Sequence, residues 1–258
     1  MKKLTYTISI LLLTALLINC TQIESDVSAD ILTSIDFEAE GYVSLFNGED
    51  LSGWEIPEGD GGHWKVLDGV IDYDALSQAD GNKNLWTTKD DFRDYELYIE
   101  WRFTDTEIYE HMPFVLPNGD YARDRDGEIF RWPRENADSG ILMRGGPQVQ
   151  VWNWDVGSGE LWSTRTNEDI APEERAKATP LRRADNLPGE WNAFQITLRG
   201  DRVTVYLNDI LVIEDGWMPN IANEGPIGLQ HHGGMRDDGT MDPTSSTIQF
   251  RNIWVKEI

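Results

Sequence analysis

The chain has 258 residues and carries 22 Lys and Arg against 46 Asp and Glu, a formal net charge of −24 at pH 7. Such a surface repels nucleic acid and anionic lipid headgroups, so polyanion partners are excluded and a small neutral ligand is favoured. With a single cysteine, no intramolecular disulfide can form.

In chain order, Lys2 and Lys3 precede the apolar run "LTYTISILLLTALLI", which reads as a targeting segment over residues 1–19. The run is shorter than the roughly 20 residues a spanning helix needs. The "LINC" that follows resembles the lipobox of bacterial lipoproteins, which implies that Cys20 is lipidated. Residues 20–40 are acidic and polar and read as a tether. Residues 41–258 are the folded domain. Membrane contact is then expected through the lipid alone. Thr21 lacks the aspartate that retains lipoproteins at the inner membrane, which points to the outer membrane of the cell envelope.

Within the domain, strand alternation dominates. "YELYIEWRF" places Leu97, Ile99, Trp101 and Phe103 on one face. "GILMRG" sets Ile141 and Met143 against Leu142 and Arg144, and "QVQVW" sets Val149 and Val151 against Gln148, Gln150 and Trp152. "AFQITLRGDRVTVYLNDILVIED" reads as a three-strand meander with turns at "RGD" and "ND". In "TIQFRNIWV" the apolar parity changes, which predicts a bulge near Asn252. Only "APEERAKA" could form two helical turns. Short strands without covering helices predict an all-β antiparallel sandwich. Trp64, Trp101 and Trp254 are expected in its core. The segments 105–137 and 155–187 are too long for plain turns and rich in aromatics and arginine, so they are expected to be ordered loops walling one face.

The opposite face of each strand carries the candidate chemistry. In "GPIGLQHHGG", Leu229 is the core residue, so His231 points inward while Gln230 and His232 point outward. His232 then joins Glu100, Arg144, Gln148 and Gln150 on polar strand faces, beside Trp152, with Trp154 and Trp162 extending an aromatic plate. Planar polar groups next to an aromatic ring suit a pyranose, whose hydroxyls need hydrogen bonds and whose C–H face needs a stacking partner. The sequence holds no H-E-x-x-H, G-x-S-x-G, P-loop or cysteine nucleophile motif. It also lacks the close carboxylate pair of a retaining glycosidase.

In order, "SLFNGEDLSGW", "LWTTKDDFRDYELYIEWRF", "ADSGILMRGGPQVQVWNWDVGSGELW", "PLRRADNLPGEWNAFQITLRGDRVTVYLNDILVIED", "GPIGLQHHGG" and "IQFRNIWV" resemble the 3-keto-disaccharide hydrolase family. The resemblance implies a concanavalin-like jelly roll acting on glycosides oxidised at C3, by lyase, hydratase or hydrolase chemistry. It also implies catalytic roles for Glu100, Arg144 and His232, and substrate binding by Gln148, Gln150, Trp152 and Trp162. Gln148 stands where the family often has Glu, and Asp138 where it has Asn. No cofactor is required by this reading. A divalent metal could replace Arg144 as electrophile, but no ligand spacing marks a site for one. The competing reading is a non-catalytic, lectin-like sugar-binding lipoprotein.

Overall fold

Apolar and polar residues alternating at every second position make strands rather than helices, and the computed structural model is built almost wholly of them. The structure describes residues 35–105, 109–236, 238–242 and 245–258. The leader over 1–19, Cys20 and most of the tether lie outside the described residues. In chain order the strands are β1 (Val43–Ser44), β2 (Trp54–Glu55), β3 (Trp64–Leu67), β4 (Val70–Tyr73), β5 (Leu85–Thr87), β6 (Tyr95–Asp105), β7 (Tyr109–Pro113) and β8 (Arg131–Glu135). They continue as β9 (Asp138–Leu142), β10 (Gln148–Trp152), β11 (Asn192–Arg199), β12 (Arg202–Leu207), β13 (Ile210–Trp217), β14 (Gly228–Leu229) and β15 (Thr247–Glu257).

Residues 42–258 form one compact unit in which two antiparallel sheets pack face to face. The larger sheet runs β13-β12-β11-β6-β15-β4-β3, with β1 also on β15, and the smaller runs β10-β9-β14-β5-β2. From the larger sheet Leu97, Ile99, Trp101, Phe194, Val205 and Phe250 enter the core, and from the smaller Ile141, Val149, Val151 and Leu229 meet them. Slipping β6 by one residue would turn Leu97, Ile99, Trp101 and Phe103 outward. At about 1.5–3 kcal/mol per large apolar side chain, that penalty fixes the register.

The meander over β11, β12 and β13 is as expected, and Asn208 and Asp209, at φ +52° and +63°, make its second turn. The bulge is also present: pairing of β15 with β6 shifts between Arg251 and Trp254, around Asn252 at φ +48°. It changes one expectation. Ile253 and Val255 reach the core, while Trp254 stands half-buried on the outer face opposite Tyr98. The extra residue reverses the parity that would have buried Trp254.

The described parts of both long connections are ordered. The first contains the ribbon β7–β8, continued by bridges Val115–Tyr121 and Arg123–Ile129. The second contains short helices at Trp162–Arg165 and Pro172–Lys177. Each is fastened near the free edge of β10. Arg134 donates to Asp155 and to Asn153 O at 3.4 Å, and Gln150 N donates to Glu160 O at 2.9 Å.

Candidate functional site

Residues directly opposed on antiparallel strands share a face, so the pairing registers lay out the outer surface of the smaller sheet row by row. The chain at 159–160 runs along β10, since Gln150 donates to Glu160 O and accepts from Gly159 N at 2.8 Å. One row is therefore Glu160, Gln150, Gly140 and Gln230, the last fixed by Gln230 N to Gly140 O at 3.0 Å. On one side lie Trp152, Asp138 and His232, whose Nε2 is 3.5 Å from Asp138 Oδ2. On the other lie Gln148, Leu142, Gly228 and Trp86. Two glycines shape this surface. A Cβ on Gly140 would stand 2.9 Å from Gln148 Cδ, and a Cβ on Gly228 would stand 2.5 Å from the Trp86 ring. Gly140 therefore makes room for the amides, and the Trp86 indole lies directly over Gly228, half exposed.

The polar groups form a connected chain. Gln148 Nε2 donates to Gln150 Oε1 at 2.5 Å, and Gln150 Nε2 donates to Asp138 Oδ1 and to Ser139 O. Burial pushes the Asp138 carboxyl up to about 6, against the lowering influence of His232 and of the Gln150 hydrogen bond. Burial likewise pushes Glu160 up to about 7, although Arg165 opposes it across a 2.6 Å contact; the nearby charge of Asp138 adds to the rise. Glu160 is wholly enclosed, whereas the side chains of Asp138 and His232 keep 14% and 30% of their exposure. A ligand can therefore touch Asp138 and His232 but not Glu160. Among the described residues no donor reaches the buried Gln230 Oε1, which is left as an unfilled acceptor.

His231 points the other way, as its parity requires. It hydrogen-bonds the Tyr73 hydroxyl, and its N–H donates to Asn84 Oδ1 at 2.8 Å. Burial, with Lys83 nearby, lowers its pKa to about 4, so it is neutral at pH 7.

Of the residues singled out from sequence, Gln148, Gln150, Trp152 and His232 come together here, and Glu100 and Arg144 do not. Glu100 faces outward from β6, and β6 belongs to the larger sheet. Stacked sheets lie about 10 Å apart, so Glu100 and Gln150 occupy opposite surfaces of the sandwich with the core between them. Glu100 is also saturated: Arg251 Nε at 2.6 Å, Tyr98 Oη at 2.9 Å and Asn252 Nδ2 at 3.0 Å all donate to it. Arg144 lies beyond the end of β9 at φ +47° and turns into a junction of loops. There it donates to the backbone oxygens of Arg93, Gly200 and Ala222 and pairs with Asp94 at 2.7 Å, which makes it a structural clamp.

Trp152 is in the right row but offers no open plate. It is 1% exposed, and Trp154 stacks on it at 4.1 Å. Trp162 is 48% exposed on its short helix. Strand patterning does not single out Asp138, Glu160 or Trp86 as site residues. Asp138 was legible: the Leu142–Gln148 hairpin register carries down to Asp138 opposite Trp152. Glu160 had no local signal, because a loop rather than a strand brings it beside Gln150. Among the described residues no three His, Cys, Asp or Glu side chains gather as a metal site.

Residues 41–256 match the family model of the 3-keto-alpha-glucoside-1,2-lyase-like domain. A 3-keto-disaccharide hydrolase of Bacteroides thetaiotaomicron is 24% identical over 264 aligned residues, which cover 85% of this chain and 79% of that protein. Among solved structures, a Parabacteroides distasonis protein assigned as a glycosyl hydrolase has a TM-score of 0.50 at 20% identity, covering 87% of this chain and 97% of the other.

Proposed function

Because the chain belongs to the 3-keto-alpha-glucoside-1,2-lyase-like family, we propose that it cleaves or hydrates 3-keto-glycosides, with Asp138 and His232 as the acid–base pair. The observation that carries this reading is their 3.5 Å approach at the end of the hydrogen-bonded chain Gln148–Gln150–Asp138. A ketone at C3 acidifies the C2 proton. A base removes that proton, the electron pair forms the C1–C2 double bond, and the C1–O bond breaks as the leaving oxygen takes a proton from an acid. C1 and C2 are bonded neighbours, so two groups serving them from one face must themselves be close. Asp138, with its carboxyl near 6, is mostly ionised at pH 7 and suits the C2 base; His232 suits the leaving oxygen. In hydration, water adds at C1 and the proton returns to C2, which reverses the two roles. Gln148 and Gln230 present amide groups to the hydroxyls, the buried Gln150 amide holds Asp138 and Gln148 in place, and Trp86 gives the C–H face a ring to stack on.

The chain is further proposed to work as a lipoprotein of the outer membrane, tethered through Cys20. A non-catalytic sugar-binding role has one observation in its favour, Gln148 in place of the family's frequent glutamate.

The test is turnover of a 3-keto-disaccharide by the purified protein, with and without a chelator, across pH. kcat/KM should rise with pH through about 6 as Asp138 ionises. Asp138→Asn should lower turnover by roughly 10²- to 10⁴-fold, the span of a lost general base. Glu100→Gln, on the far surface, should leave turnover per folded molecule unchanged. A wild type that binds the sugar without converting it would establish the lectin-like alternative.

A further inference from the structure

Strand pairing stops short of the acid–base pair. β14 pairs with β9 at Gly228↔Leu142 and Leu229↔Ile141, and Gln230 N reaches Gly140 O at 3.0 Å. His232 stands two residues further on, where the chain enters a turn through Gly233 and Gly234 at φ +81° and +121°. Glycines in that region carry the least intrinsic stiffness, so the ladder alone does not fix how far His232 sits from Asp138.

Two adjacent serines reach both sides. Ser245 Oγ accepts from Gly234 N at 2.7 Å and donates to Gly234 O at 3.3 Å, so one hydroxyl holds both backbone groups of the second turn glycine. Ser246 Oγ accepts from Asp138 N at 2.7 Å, across 108 residues of sequence. The pair is 7% and 3% exposed and leads directly into β15, whose Thr247 is already opposite Asp105 of β6. The fit to the turn is close: a Cβ on Gly233 would stand 2.5 Å from Ser245 N, a backbone atom that cannot swing away. On the near side of His232, the His231 N–H donates to Asn84 and the His231 ring bonds the Tyr73 hydroxyl. The Asp138 carboxyl is oriented separately, by the Gln150 amide.

We infer that Ser245 and Ser246 are positioning residues: together they tie the His232 turn and the Asp138 backbone to one strand and so set the separation of the acid–base pair. That role rests on the proposed chemistry of Asp138 and His232. C2 and the oxygen on C1 must be served in one event, so a change in separation costs rate rather than affinity.

The test uses the full chain as Ser245→Ala, Ser246→Ala, the double variant, and Ser246→Thr, which keeps the hydroxyl. Each single alanine variant should lower kcat on a 3-keto-disaccharide roughly ten- to a hundredfold with KM little changed, the effect of a small misplacement. The double variant should lose little more, because freeing either end already frees the separation, and Ser246→Thr should recover most of the rate. A purely structural role would lower Tm and leave kcat per folded molecule unchanged, and that result overturns the inference. A second measurement needs no turnover. The Asp138 carboxyl carbon, followed by NMR, should titrate near 6 in the wild type. Around it, His232 and the Gln150 hydrogen bond lower the midpoint, and Glu160 with its partner Arg165 is near enough to feel its charge. Of these groups only His232 is carried by the turn. Ser245→Ala leaves the Ser246 hydroxyl on Asp138 in place, so it should raise the midpoint as the influence of His232 fades. Ser245→Cys, with its weaker hydrogen bond, serves the same purpose should the alanine variant not fold. An unmoved midpoint overturns the inference whatever the kinetics. If the wild type converts no 3-keto-glycoside, the cleavage reading fails by itself, and the titration alone decides whether the serines set the pair.

Discussion

Gly140 lies beneath two amides, and a Cβ there would come within 3.0 Å of both Gln148 Oε1 and Gln230 Oε1. Those atoms are the far ends of flexible side chains, so Gly140→Ala can be accommodated by swinging them aside. The swing would break the Gln148–Gln150 hydrogen bond and spoil the surface offered to sugar hydroxyls. Gly225 is the instructive contrast: a Cβ there would stand 2.5 Å from the backbone carbon and oxygen of Arg144, which cannot move independently. Gly140→Ala should therefore raise KM about tenfold, the effect of one or two lost hydrogen bonds, with little change in Tm. Gly225→Ala should do the reverse, lowering Tm clearly while any folded fraction keeps its KM. Thermal melts and steady-state kinetics on both variants check the pair, and a Gly140→Ala protein with unaltered KM would detach Gln148 and Gln230 from the binding surface.

Among elements, the return of the chain along β10 matters most, because it carries the buried Glu160–Arg165 pair at 2.6 Å. Taking both ions from water costs several kcal/mol each, and mutual attraction repays this only while both are present. Glu160→Leu alone should thus cost about 3–5 kcal/mol, by leaving Arg165 as an uncompensated buried charge, whereas Arg165→Met should cost less, because Glu160, already pushed up to about 7, takes a proton instead. The double variant should cost much less than the sum of the two, and denaturant unfolding of all four proteins measures the coupling. Additive losses would mean that the two side chains do not stabilise each other. Elements also mark how far the sequence could be read. Alternation is local, so it identified the inward residues of β6, β9, β10 and β14 and the bulge at Asn252. Which sheet a strand joins depends on strand order across the whole chain, and alternation carries no such information. Glu100 and Gln150 both face outward, yet on opposite surfaces, for that reason. The cluster on the smaller sheet was legible because β9 and β10 are a tight hairpin whose turn fixes their register. The wall beyond β10 was not, since Glu160 arrives from a loop and Arg165 from a single helical turn, neither with a period to follow.

For the whole molecule, acidity and anchoring are related. Removing residues 1–19 takes away Lys2 and Lys3 and leaves 20 basic against 46 acidic side chains. An anionic membrane surface would repel such a protein, so electrostatic adsorption cannot keep it there. Among the described residues no helix is long and apolar enough to cross a membrane. An attachment through the segment ahead of residues 41–256, which carry the family domain, would need neither. That segment contains the chain's single cysteine, Cys20, directly after an apolar run. Each methylene of an acyl chain contributes about 0.8 kcal/mol on burial, and one chain binds only reversibly, so stable attachment takes more than one chain. Cys20→Ser removes the thiol that would carry them and lies outside residues 41–256, the family domain. In cells, the variant should move from the membrane fraction to the soluble fraction or accumulate unprocessed, and it should no longer incorporate labelled palmitate. Its turnover should match that of the parent, because no residue of the Asp138–His232 surface belongs to the tether. Cys20→Ser protein that stays with membranes after a carbonate wash would show that something other than a lipid at Cys20 holds the chain there.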